Sequence, residues 1–108
     1  MAEMLIRFSH TIRGSATAFR AEACGARMSD GRWTAWIEFI PFDGGEPLRS
    51  PLETIQPNRT DVEYWATGLT PVYLEGALQR ALDRASVESP ERSGDRKRGA
   101  GRRSDGVD

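Results

Sequence analysis

Two helix starts, a glycine stop and the most regular apolar face of the chain all fall within residues 50–82. Together they leave little choice about how the C-terminal half folds. Thr60-Asp61-Val62-Glu63 has the form of a capping box, in which the Thr60 hydroxyl accepts from the Glu63 amide and the Glu63 carboxylate reaches back to Thr60. It predicts a short helix over 61–67, closed by Gly68 in the left-handed conformation. Thr70 then offers a second N-cap oxygen, and Pro71 fits the first helical position, where its missing amide costs nothing. Along this second helix Leu74, Leu78, Ala81, Leu82 and Ala85 recur at spacings of three and four, while Glu75, Gln79, Arg80, Asp83 and Arg84 take the other face. The helix therefore lies on something apolar. Gly76 inside it costs about 1 kcal/mol relative to alanine, and a close approach to a neighbouring backbone is expected to offset that.

Upstream the period changes from 3.6 to 2. Met4, Ile6, Phe8, His10 and Ile12 alternate with Leu5, Arg7, Ser9 and Thr11, which predicts a half-buried strand over 4–12 with His10 on its apolar side. After Gly14-Ser15, a second strand over 16–27 sets Phe19, Ala21 and Ala23 against Arg20, Glu22 and Cys24. Ser29-Asp30-Gly31 marks a tight turn, with Gly31 supplying a positive φ. In the strand that follows, over 32–42, Trp33, Ala35, Ile37 and Phe39 share one face and Trp36, Ile40 and Phe42 the other. A strand apolar on both faces is central and covered twice. After the turn Asp43-Gly44-Gly45-Glu46, residues 48–56 can form a fourth strand, but Pro47, Pro51 and Pro57 each remove a ladder amide and confine it to a sheet edge or a bulged path.

The last 22 of the 108 residues, 87–108, are nearly all Gly, Ser, Pro and charged groups, too poor in apolar side chains to build a core. A disordered tail over 87–108 is expected, following a single domain over 1–86. Within the tail Arg96, Lys97, Arg98, Arg102 and Arg103 form a run of cations without an acid, able to touch phosphates without reading sequence. The whole chain carries a net charge of −1, and Lys97 is its only lysine. A single cysteine, Cys24, excludes an internal disulfide, and no Cys/His cluster offers a zinc site, so a reducing cytoplasm is the expected compartment. No apolar run approaches the roughly 20 residues that span a bilayer, and no basic segment followed by an apolar stretch marks a secretory leader.

Chemistry is sparsely written. Glu53, Asp61, Glu63 and Glu75 could in principle supply paired carboxylates for acid/base work, but Glu63 is accounted for by the capping box and Asp61 by the helix dipole. His10 has no second ligand or base beside it. No metal, cofactor or nucleophile constellation emerges. The helix-turn-helix outline of 60–85 is weakened by Glu75 and Asp83, and by Val72 and Tyr73 where base-reading residues belong. Tyr64, Trp65 and Tyr73 have the character of core or interface anchors.

The run Tyr64-Trp65-Ala66-Thr67-Gly68-Leu69-Thr70-Pro71-Val72-Tyr73-Leu74-Glu75-Gly76-Ala77, preceded by Glu53-Thr54-Ile55-Gln56, resembles a group of short uncharacterised bacterial proteins. The likeness covers residues 33–82 and implies a bacterial origin without implying an activity. The expected architecture is α+β: an antiparallel meander of three to four strands, then a short and a longer helix packed on one sheet face. The expected function is a non-enzymatic protein-interaction module that self-associates or docks on a protein partner through Trp36, Ile40, Phe42, Tyr64, Trp65 and Tyr73. A nucleic-acid-associated protein using the basic tail is the alternative, and a small enzyme the third.

Overall fold

In the computed structural model, which describes residues 2–88, the chain forms strands β1 (Ala2–Arg13), β2 (Ala18–Arg27), β3 (Trp33–Pro41), β4 (Leu48–Arg49) and β5 (Thr54–Gln56), then helices α1 (Arg59–Thr67) and α2 (Pro71–Glu88). Every strand pairing is antiparallel, and β3 is bonded on both edges, to β2 on one side and to β4 and β5 on the other. The architecture is the expected α+β meander. β4 and β5 are two pieces of the anticipated fourth strand, lying end to end along one edge of β3 and separated at Pro51. Helix α2 extends through Val87 and Glu88, which composition alone assigns to the tail; residues 89–108 lie outside the described residues.

One sheet face is buried under the helices. Phe19, Ala21, Ala23, Ile37 and Phe39 meet Ala66 of α1 and Leu74, Ala77, Leu78 and Ala81 of α2, and Ile12 closes the cluster from β1. Ala21 and Ala23 keep the floor of the sheet low, so the helices settle close and the larger Phe19 and Phe39 pack edge to face at 6.3 Å. Burying a side chain such as Phe39 or Leu74 contributes about 2–3 kcal/mol. Thr70 caps α2 as its sequence predicts, its hydroxyl accepting from the Tyr73 amide at 3.2 Å with Pro71 in the first turn. Gly31 has the anticipated positive φ, 92°.

Four local expectations are overturned. The alternation of β1 breaks twice: Met4 stands opposite Cys24 but Ile6 opposite Ala23, and Arg7 stands opposite Glu22 but Thr11 opposite Arg20. Leu5 is therefore an extra residue, so Leu5 and Ile6 both pack toward the core while Met4 falls on the other face. Gly25 permits this, since a Cβ there would lie 3.0 Å from Leu5 Cδ1 and 3.1 Å from the Thr34 carbonyl. In the second irregularity, residues 8–10 face Ala21 alone, and His10 is exposed instead of apolar-facing.

The α1 cap is Asn58, whose Oδ1 accepts from the Asp61 amide at 2.8 Å, and the helix starts at Arg59 before the predicted box. Asn is the stronger cap, and Arg59 takes Glu63 at 3.0 Å and also pairs with Glu3, leaving Glu63 no reason to reach Thr60. Gly68 closes α1 with φ −92° and not in the left-handed region. Its amide bonds the Trp65 carbonyl at 3.2 Å and that of Leu69 bonds Ala66 at 3.3 Å, a tightened last turn that needs no positive φ. Gly76 faces the Arg80 guanidinium, where a Cβ would meet Nη1 at 3.3 Å, and no neighbouring backbone.

Candidate interaction surface

The sheet face turned away from the helices carries the even-numbered residues of β2 and β3. Register sets Met4, Cys24 and Trp36 side by side across three strands, with Thr34 and Ile55 paired one row along. The next row in the other direction is charged: Arg7, Glu22, Glu38 and Arg49. Glu22 and Glu38 are directly opposed, an arrangement of like charges that arginines offset. Arg7 Nε donates to Glu22 Oε2 at 3.2 Å, Arg20 Nε lies 3.4 Å from the same oxygen, and Arg49 Nη2 donates to Glu38 Oε2 at 3.3 Å. Such half-exposed pairs contribute only about 0–1 kcal/mol each. Their effect is to make this face wettable.

Trp36 is not the bare aromatic that its sequence position suggests. It is 5% exposed within the monomer. Its Nε1–H donates to Glu38 Oε2 at 3.1 Å, and the Arg49 guanidinium lies 4.5 Å above the ring centroid. The lid follows from the register, because β4 sets Arg49 opposite Glu38, two residues along the same face from Trp36. Truncating Trp36 thus tests the fold before it tests an interface. Beside it Cys24 is buried, and burial together with the Glu38 and Glu22 charges pushes its thiol up to about 11. The apolar groups that reach solvent are at the stripe's two ends: Met4 at 49% and Ile55 at 46% exposure.

The other expected interface residues are not gathered here. Ile40 is half-buried opposite Arg20 on the same face, and Phe42 is exposed just past the end of β3. Trp65 and Tyr73 belong to the helical side, packed edge to face at 6.3 Å against the core margin, and Tyr64 projects from α1 at 81% exposure. Arg96, Lys97, Arg98, Arg102 and Arg103 lie outside the described residues.

A second cluster went unseen in the sequence. The Glu53 side chain is 4% exposed and accepts from the Tyr73 hydroxyl at 2.5 Å and from Arg80 at 2.6 and 3.2 Å. Burial alone would raise its carboxyl, but the Arg80 and Tyr73 hydrogen bonds and the Arg80 charge outweigh it and hold Glu53 below the usual carboxylate range. Burial and the same carboxylate push the Tyr73 phenol up to about 12. Next to it, buried Ser50 accepts the Ile37 amide on Oγ at 3.0 Å and donates to the Pro51 carbonyl at 2.8 Å, while Arg84 donates to the Ser50 carbonyl at 3.0 Å. Arg80 and Arg84, assigned to a solvated helix face by periodicity, are thus turned onto the sheet edge. A cleft of about 370 Å³ opens beside them, lined by Pro51, Arg80, Asp83, Arg84 and Val87. Glycine at position 76, four residues before an arginine, was the available signal: it leaves room for that side chain to lie along the helix.

Of the four carboxylates considered for acid/base work, Glu53 is committed to Arg80 and Glu63 to Arg59, Asp61 sits exposed in the first turn of α1, and Glu75 is exposed on α2 beyond its first turn. Among the described residues no group of three or more His, Cys, Asp or Glu could hold a metal ion, and no helix is long and apolar enough to cross a membrane. No protein-family model, curated protein or solved structure matches the chain.

Proposed function

We propose that the protein is an interaction module that associates with a second copy of itself, or with a protein partner, through the open face of its sheet. The observation carrying this reading is the stripe of Met4, Cys24, Trp36 and Ile55, which crosses the sheet on the face the helices leave uncovered and ends in two half-exposed apolar side chains. A stripe of this kind is self-complementary about a two-fold axis, so a second copy covers Met4 and Ile55 with their own counterparts. The neighbouring row of paired charges forms the wet rim expected around such a contact.

Trp36 supports the surface from below, and its edge residues make the contact. Sedimentation of the full chain into the high micromolar range tests this. The unmodified protein is expected to sediment as a dimer, and the double variant Met4→Glu, Ile55→Glu as a folded monomer, since charges placed within a buried contact typically cost about 2 kcal/mol or more. A monomer at every concentration, for the unmodified chain, would overturn self-association.

A further inference from the structure

The edge of β3 is covered by a segment with few attachments of its own. Residues 47–57 contribute only the two short ladders of β4 and β5, since Pro47, Pro51 and Pro57 have no amide to give. Between the ladders two backbone bonds remain, Ser50 N–H to the Ile37 carbonyl at 2.9 Å and Glu53 N–H to the Ala35 carbonyl at 2.8 Å. The Ile37 amide is taken by a side chain, Ser50 Oγ. Little apolar burial holds the segment down, because Leu52 and Ile55 are exposed and Leu48 is the residue of 47–57 that packs on the core. The remaining fastenings are Arg49, whose guanidinium bonds Glu38 and lies over Trp36, and three side chains of α2: Tyr73 and Arg80 on Glu53, and Arg84 on the Ser50 carbonyl.

We infer that residues 47–57 are a strap that opens as a unit from the β3 edge while the rest of the domain stays folded, with Glu53 as the latch that α2 closes. Local opening of this kind occurs where apolar contacts are few, and the segment meets that condition although Ser50 and its bonds to Ile37 are buried. The strap has a natural pivot at each end. Gly44, at φ 84° in an exposed turn, precedes it, and the Asn58 cap of α1 follows. Opening bares the outward N–H and C=O groups of Ile37 and the carbonyl of Ala35, an unpaired strand edge in the middle of the chain. The inference is independent of dimerisation through the open face.

Amide hydrogen exchange on the full chain, followed residue by residue at low denaturant, decides the matter. The amides of Ile37, Ser50 and Glu53 are expected to exchange by an opening insensitive to denaturant. Those of Trp36 and Glu38, which point toward β2, are expected to exchange only through global unfolding. Glu53→Gln, which removes the latch charge, should accelerate the first set at least tenfold and leave the second unchanged. Tyr73→Phe, a milder change that removes a single hydroxyl, should accelerate the same set by a smaller factor, and it carries the comparison alone if Glu53→Gln does not fold. Equal denaturant dependence of both sets in the unmodified protein, or uniform acceleration by the variants, would overturn the strap.

Discussion

Ser50→Ala isolates the most consequential hydroxyl of the sheet edge. Ser50 is fully buried, and its Oγ is the acceptor for the Ile37 amide where the ladder between β3 and the edge segment is interrupted at Pro51. Alanine fits the same space and leaves that amide without a partner in a region closed to water. An orphaned buried donor costs about 1–3 kcal/mol, and the Pro51 carbonyl loses its donor too, so the expected loss is about 2 kcal/mol. A domain of this size has a stability at the low end of about 5–15 kcal/mol, so that loss is a large fraction. With a urea dependence of about 1–1.5 kcal/mol/M for a small domain, the unfolding midpoint should fall by about 1.5 M. The assay is equilibrium urea unfolding followed by fluorescence of Trp33, Trp36 and Trp65, with Ser29→Ala in the exposed hairpin turn as a control expected to stay within about 0.5 kcal/mol. A Ser50→Ala loss below about 0.5 kcal/mol would show that the Ile37 amide finds another acceptor and that the hydroxyl does not complete the ladder.

Two further outcomes are expected. Asn58→Ala and Thr70→Ala should each cost about 1 kcal/mol in the same titration and Thr60→Ala almost nothing, because the first two side chains cap α1 and α2 and the third does not; equal costs for Asn58 and Thr60 would restore the capping box. The Glu53–Tyr73 pair should shape both ends of the pH profile. Tyr73, raised from 10.0 to about 12, contributes stability that is complete below pH 10 and lost as pH rises through about 12, so Tyr73→Phe should flatten that alkaline limb. Glu53, held below the usual range, contributes stability present above the ordinary carboxylate value and lost as pH falls through its lower folded value; Glu53→Gln should remove that share of the acid limb in thermal melts across pH.

Where a residue's role is decided within a few neighbours, it could be read directly. Gly31 in its turn, Thr70-Pro71 at the head of α2, the alternation of β2 and β3, and the prolines that confine residues 47–57 to an edge are all of this kind. What escaped depends on partners far along the chain. The bulge at Leu5 exists because Gly25, twenty residues on, leaves a hollow for it. Asn58 prevailed over Thr60 once Arg59 engaged Glu3 across 56 residues. The cover over Trp36 and the Glu53, Tyr73 and Arg80 cluster rest on contacts of Trp36 with Arg49 and of Arg80 with Glu53 that no periodicity announces. Helical spacing sorts residues into faces, and it cannot tell an arginine in water from one folded over onto a buried carboxylate.

The two irregularities of β1 bear on how such a sheet behaves in a crowded solution. A twelve-residue outer strand with a regular row of outward amides would be a template for any passing chain. Offsets at Leu5 and across residues 8–10 break that row into short, mismatched lengths, and Arg7, Ser9 and Arg13 stand exposed along it. The opposite border is broken by proline instead. Neither rim of the folded sheet offers an unbroken run on which a fibril could grow, and chance encounters between copies are turned away from endless edge-to-edge growth.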